Sequence, residues 1–124
     1  MNKRILLIED NEQNRYLVTY LLQAHGWEVL SAEDGPAGLK LAGEIDPALI
    51  LLDIQLPGMD GYEVARRLRA NPKLDAIPVV AVTSYAMPGD RERCLESGCN
   101  GYLEKPIDPQ IFAGQVETFL GNLP

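Results

Sequence analysis

Short apolar runs alternate with longer amphipathic stretches five times along the chain. The alternation predicts strands near 4–8, 27–32, 48–53, 77–83 and 100–104, and helices near 12–25, 35–45, 61–70, 88–97 and 107–121. The run Ala48-Leu49-Ile50-Leu51-Leu52 contains no polar residue. A strand of that kind is buried on both faces, which happens in parallel sheets whose crossover helices cover both sides. Repeated strand and helix units therefore imply βαβ connections and an α/β domain. Helix punctuation agrees. Asp34 is placed to cap the second helix, with Pro36 in its first turn, and Asp108 and Pro109 play similar parts in the fifth. Gly26 and Gly98 fall where the first and fourth helices should stop. With no internal repeat, low-complexity tract or linker, residues 1–124 are expected to form one domain.

Right-handed crossovers from the first strand suggest the order 2-1-3-4-5. That is a doubly wound, flavodoxin-like sheet of five parallel strands with five helices, whose ligand crevice lies between strands 1 and 3 at their carboxyl ends. Those ends carry unusual chemistry. Ile5-Leu6-Leu7-Ile8 runs into Glu9-Asp10, the third strand ends on Asp53, Val79-Val80-Ala81-Val82 runs into Thr83, and Gly101-Tyr102-Leu103-Glu104 runs into Lys105-Pro106. Three ionised carboxylates in one crevice repel one another, and the remedies are raised pKa values or a bound cation. An all-oxygen donor set predicts magnesium, held by Glu9, Asp10, Asp53 and the backbone carbonyl of Gln55. No cluster of Cys or His suggests a softer metal. Lys105 and Thr83 add an ammonium and a hydroxyl, which together outline a site for a phosphoryl group. Asp53 is then the acceptor, since a carboxylate can form an acyl phosphate. The Lys105-Pro106 bond is a candidate for the cis form.

Charge removes several classes of partner. Lys and Arg number 11 against 18 Asp and Glu, and the net charge of −7 repels nucleic acid and anionic lipid alike. No apolar stretch approaches the roughly 20 residues of a membrane span. Met1-Asn2-Lys3-Arg4 leads into a run too short for a signal peptide, so the expected location is the cytoplasm. Cys94 and Cys99 lack the partners of a zinc site and read as reduced thiols. His25, the single histidine, sits just before Gly26, where it favours a helix C-terminus rather than a metal.

The segments Ile8-Glu9-Asp10-Asn11, Leu52-Asp53-Ile54-Gln55-Leu56-Pro57-Gly58-Met59-Asp60-Gly61, Pro78-Val79-Val80-Ala81-Val82-Thr83-Ser84 and Gly101-Tyr102-Leu103-Glu104-Lys105-Pro106 resemble, in order and over the whole chain, the receiver domain of bacterial two-component response regulators. The resemblance is to stand-alone receivers of the chemotaxis or cell-division type. It implies that Asp53 accepts phosphate from a histidine kinase or phosphotransferase and that Glu9 and Asp10 hold magnesium. By the same match Thr83 and Lys105 contact the phosphoryl oxygens, and Tyr102 is the switch aromatic. Glu9 stands where the family uses either acid. Ser84 stands where receivers often carry alanine, and is still small. Gln55 and Tyr85, two positions beyond Asp53 and Thr83, occupy places where the family tunes attack by water on the acyl phosphate.

The resulting expectation is a phosphorylation-dependent switch in a phosphorelay, acting through protein contacts on the face of helix 4, strand 5 and helix 5. Chemistry beyond self-directed phosphoryl transfer and autodephosphorylation is not expected. Met1 directly before the first strand and the short tail Gly121-Asn122-Leu123-Pro124 favour a natural small protein over a receiver cut from a hybrid kinase or longer regulator. A phosphatase of the haloacid dehalogenase type would also use an aspartyl phosphate, but needs a second Asp as general acid and base where this chain has Gln55. A flavin-binding module would need a phosphate loop after strand 1, and Glu9-Asp10-Asn11-Glu12 would repel that phosphate.

Overall fold

The computed structural model describes residues 2–84 and 88–121. Five strands and five helices alternate: β1 (Arg4–Ile8), α1 (Glu12–Gln23), β2 (Glu28–Ala32), α2 (Gly35–Ile45), β3 (Leu49–Asp53), α3 (Gly61–Ala70), β4 (Val79–Thr83), α4 (Asp90–Glu96), β5 (Gly101–Glu104) and α5 (Phe112–Gly121), with a 3-10 turn at Pro72–Leu74. All strand pairs are parallel and the order is β2-β1-β3-β4-β5, as the sequence predicts.

Strand parity builds two cores from one sheet. Leu6, Ile8, Ile50, Leu52, Val79 and Ala81 face one way, onto Ala42 of α2, Val64 and Leu68 of α3 and Cys94 of α4. The alternate residues Ile5, Leu7, Leu49, Leu51, Val80 and Val82 face the other, onto Val18 and Leu22 of α1 and Phe112 and Val116 of α5. Period-2 alternation of two apolar sets is why β1, β3 and β4 show no polar position between their end residues.

Element bounds follow local chemistry. Asp34 accepts from Ala37 N–H and caps α2, with Pro36 in the first turn, so the range 35–45 is met at both ends. Asn11 and Asp60 cap α1 and α3 in the same way. Gly26 and Gly98 adopt φ +90 and +111 beyond α1 and α4, a left-handed geometry that stops a helix. Two helices start later than predicted. Gly89 at φ +92 delays α4 to Asp90. Before α5, Asp108 holds a turn, its Oδ1 accepting from Gln110 N–H at 3.0 Å and its carbonyl from Phe112 N–H at 2.9 Å, so regular helix begins only at Phe112. β4 begins at Val79 because Pro78 has no N–H for the ladder. No helix among the described residues is long and apolar enough to cross a membrane.

Candidate functional site

Register brings the predicted residues to one rim. Ile8 is level with Leu52, so Glu9 and Asp53 follow side by side at the ends of β1 and β3. Asp53 pairs with Val82 and Thr83 with Glu104, which places Thr83 and Lys105 just beyond. The end of β3 is fixed from above by α3. Gly61 N–H donates to the Ile54 carbonyl at 2.9 Å, and a Cβ at Gly61 would lie 2.5 Å from Ile54 Cα and 2.8 Å from the Asp53 carbonyl oxygen. Only glycine permits that approach.

Oxygen atoms of Glu9, Asp10 and Asp53 lie within 4.8 Å of one another. Glu9 and Asp53 are each 3% exposed, while Asp10 faces solvent. The Lys105 ammonium bridges the buried pair, 2.9 Å from Glu9 Oε1 and 3.2 Å from Asp53 Oδ2. Asn11 N–H donates to Glu9 Oε2 at 3.2 Å, and Gln55 N–H to Asp53 Oδ1 at 2.9 Å. Burial pushes the Glu9 carboxyl from its ordinary 4.5 up to about 7, with Asp53 adding to the rise and Lys105 opposing it. Burial works against the Lys105 ammonium too, but the Glu9 hydrogen bond and the charges of Asp53 and Glu9 outweigh it and hold the pKa above the ordinary lysine value. A cluster of hard oxygen donors that already gathers a cation suits a divalent ion of the magnesium class. The Lys105–Pro106 bond is cis. Beside Asp53 and Lys105 a cavity of about 500 Å³ opens between α1 and the start of α5, walled by Leu7, Val18, Val82 and Phe112, so the carboxylate is buried yet reachable.

Thr83 and Tyr102 lie on the other face of the sheet. Ala81 pairs with Tyr102, and Thr83 is two residues further on the same side. Thr83 is buried, with its hydroxyl accepting from Gln55 Nε2. Tyr102 is half-buried against the core under α2, α3 and α4, and burial, with Glu104, Asp90 and Cys94 adding, raises its phenol above the ordinary value. A cleft of about 410 Å³ between the loop after β3 and α4 is lined by Gln55, Thr83 and Asp90. Tyr85 lies outside the described residues.

Two contributors escape a reading of strand ends. Arg15, on the first turn of α1, donates from Nη1 to the carbonyls of Glu9 at 2.9 Å and Asp10 at 3.0 Å and reaches Glu33 at 3.3 Å, so it clamps the acidic loop from outside. Gln55 joins the site through its side chain as well as its backbone. The signal for Arg15 is its place one turn past Asn11, where an i, i+4 spacing points a long side chain back over the helix start. His25 and the cysteines stay apart from the rim. His25 Nδ1 lies 3.8 Å from Glu117, and Cys94 and Cys99 are free and buried, with burial raising both thiols.

The family model described as the response regulator receiver domain matches residues 5–117. The polar-differentiation response regulator DivK of Brucella ovis is 43% identical over 122 residues, covering 98% of this chain and 99% of DivK. The receiver domain of a Pseudomonas aeruginosa sensor histidine kinase, solved with a magnesium ion coordinated in its active-site cleft, superposes with a TM-score of 0.89 at 34% identity, covering 98% of this chain and 100% of that one. Chemotaxis protein CheY4 of Vibrio cholerae superposes with a TM-score of 0.90 at 25% identity, covering 95% and 98%.

Proposed function

The chain belongs to the response regulator receiver domain family, and from that premise we propose that it is a stand-alone phosphorylation switch whose acceptor is Asp53. Receivers of two-component signalling interact with histidine kinases or phosphotransferases and act as switches rather than as enzymes with outside substrates. The observation that carries the choice of acceptor is the setting of Asp53. Asp53 is as buried as Glu9 but ends β3, the central strand of the sheet, with one oxygen held by Gln55 N–H and the other by the Lys105 ammonium, and with a cavity opening beside it.

In the transfer, an Asp53 carboxylate oxygen attacks the phosphorus of a phosphoimidazole. An O–P bond forms, the N–P bond breaks, and the imidazole nitrogen leaves with the electron pair and takes up a proton. Lys105, already 3.2 Å from the carboxylate, and Thr83 contact the phosphoryl oxygens. Glu9, Asp10, Asp53 and the Gln55 carbonyl would hold magnesium, which neutralises charge on those oxygens when bound. Residues 1–124 are read as one cytoplasmic domain that needs neither nucleic acid nor membrane, in keeping with a net charge of −7.

The output surface is assigned to α4, β5 and α5. Support comes from exposed Leu95 on α4 and Ile111 before α5, and from a cleft of about 200 Å³ lined by Arg91, Leu95, Gly101, Tyr102 and Phe119. Acetyl phosphate with magnesium is expected to add one acid-labile and base-labile phosphoryl group, lost in Asp53→Asn. Intact-mass labelling that survives this substitution moves the acceptor elsewhere.

A further inference from the structure

The backbone carbonyl of Gln55 suffices for a metal ligand, yet its side chain makes two contacts of its own. Nε2 donates to Thr83 Oγ1, and Oε1 accepts from Ser84 N–H at 3.1 Å. The backbone N–H of the same residue donates to Asp53 Oδ1 at 2.9 Å. One residue of the loop after β3 thus ties the acceptor carboxylate to the end of β4. It holds there the oxygen of the Thr83 hydroxyl and the Ser84 N–H, and that N–H is the donor it keeps from an oxyanion on Asp53, whose cavity Ser84 also lines.

A neutral carboxamide oxygen and a phosphoryl oxygen compete for the Ser84 proton. The charge-assisted bond is about twice as strong as the neutral one, so the phosphoryl group wins, but it first has to displace a bond already made. Resting on the Asp53 acceptor reading, we propose that the Gln55 carboxamide is a resting-state placeholder. It engages Thr83 and Ser84 until a tetrahedral oxyanion on Asp53 displaces it, and so sets the threshold for filling the phosphoryl site. Gln55 is a positioning residue here, acting through Thr83 and Ser84.

Gln55→Met keeps side-chain length, removes both hydrogen bonds and retains the backbone carbonyl; Gln55→Ala serves as a second variant. Binding of beryllofluoride, a phosphoryl mimic, is measured in magnesium for the unmodified protein and both variants, beside magnesium titrations alone. Loss of one net hydrogen bond of competition predicts about a three- to tenfold gain in beryllofluoride affinity, beyond any change in magnesium affinity measured alone. In the unliganded variants the Ser84 amide proton is expected to move upfield, a change that a purely structural role for Gln55 does not require. Equal or weaker beryllofluoride binding in both variants, or an unmoved Ser84 resonance, overturns the placeholder. Failure of the unmodified protein to bind beryllofluoride at all overturns the acceptor reading instead.

Discussion

At Glu9, burial and a neighbouring acid meet an ammonium, and the balance gives the site a pH dependence of definite sign. Glu9 is 3% exposed and its carboxyl is pushed up to about 7 from 4.5. Between those values the folded protein keeps a proton that the unfolded chain gives up. The stability this confers is therefore fully present below 4.5 and is lost as pH rises through 7, by an amount on the order of a few kcal/mol. Denaturant unfolding in chelator should show stability falling from pH 5 to pH 8, and Glu9→Gln should flatten the fall; an equal slope in that variant would assign it to another group. Magnesium favours the ionised form and should recover stability at pH 8. Asp10, exposed beside the buried pair, should act mainly through the cation. Asp10→Asn should weaken magnesium binding and phosphorylation together, and an unchanged magnesium titration would remove Asp10 from the metal site. Asp53, Thr83 and Lys105 were legible in the sequence because each ends an apolar strand. The side chain of Gln55 was not, since its partners depend on a loop path that no periodicity encodes, and for Arg15 the i, i+4 spacing past Asn11 shows the reach but not the carbonyls it meets.

Elements were legible in proportion to the strength of their stop and start signals. α2 and α3 match their expected ranges because Asp34 and Asp60 cap them directly before their first residues. α5 starts five residues beyond the expected 107, at Phe112, because the Asp108 turn takes up the chain first. The seating of α3 on β3 could not be read, since a glycine at a helix start looks the same whether or not backbone lies against it. Gly61→Ala tests that contact. A Cβ at 2.5 Å from Ile54 Cα meets backbone that cannot rotate away, so the end of β3 must shift. A loss of about 1–3 kcal/mol is expected in chemical denaturation, with movement of the Asp53 amide resonance and slower labelling by acetyl phosphate. Labelling and stability both equal to those of the unmodified protein would show that Gly61 does not fix the acceptor.

For the whole molecule, the order of the strands followed from chirality and short connections, but the segregation of the rim into two sides needed the register. Glu9, Asp53 and Lys105 continue the parity of Leu7, Leu51 and Leu103 toward α1 and α5, whereas Thr83 and Tyr102 share the side of α3 and α4. Charge added on Asp53 would reach the α4 side of the sheet by drawing on a group from that side, and Thr83 at the end of β4 is placed to be that group. If its hydroxyl turns toward a phosphoryl oxygen, it leaves space beside Tyr102, whose half-buried phenol can pack inward and change the surface formed by α4, β5 and α5. A ligand moves such an equilibrium only through contacts that differ between its two states. Thr83→Ala removes the differential contact but leaves the acceptor, the acids and Lys105 in place. The variant should still take up phosphate at Asp53 while the amide resonances of residues 90–104 stay near their resting positions. Shifts across that face as large as those of the phosphorylated unmodified protein would sever Thr83 from Tyr102 and require another route from the rim to the partner surface.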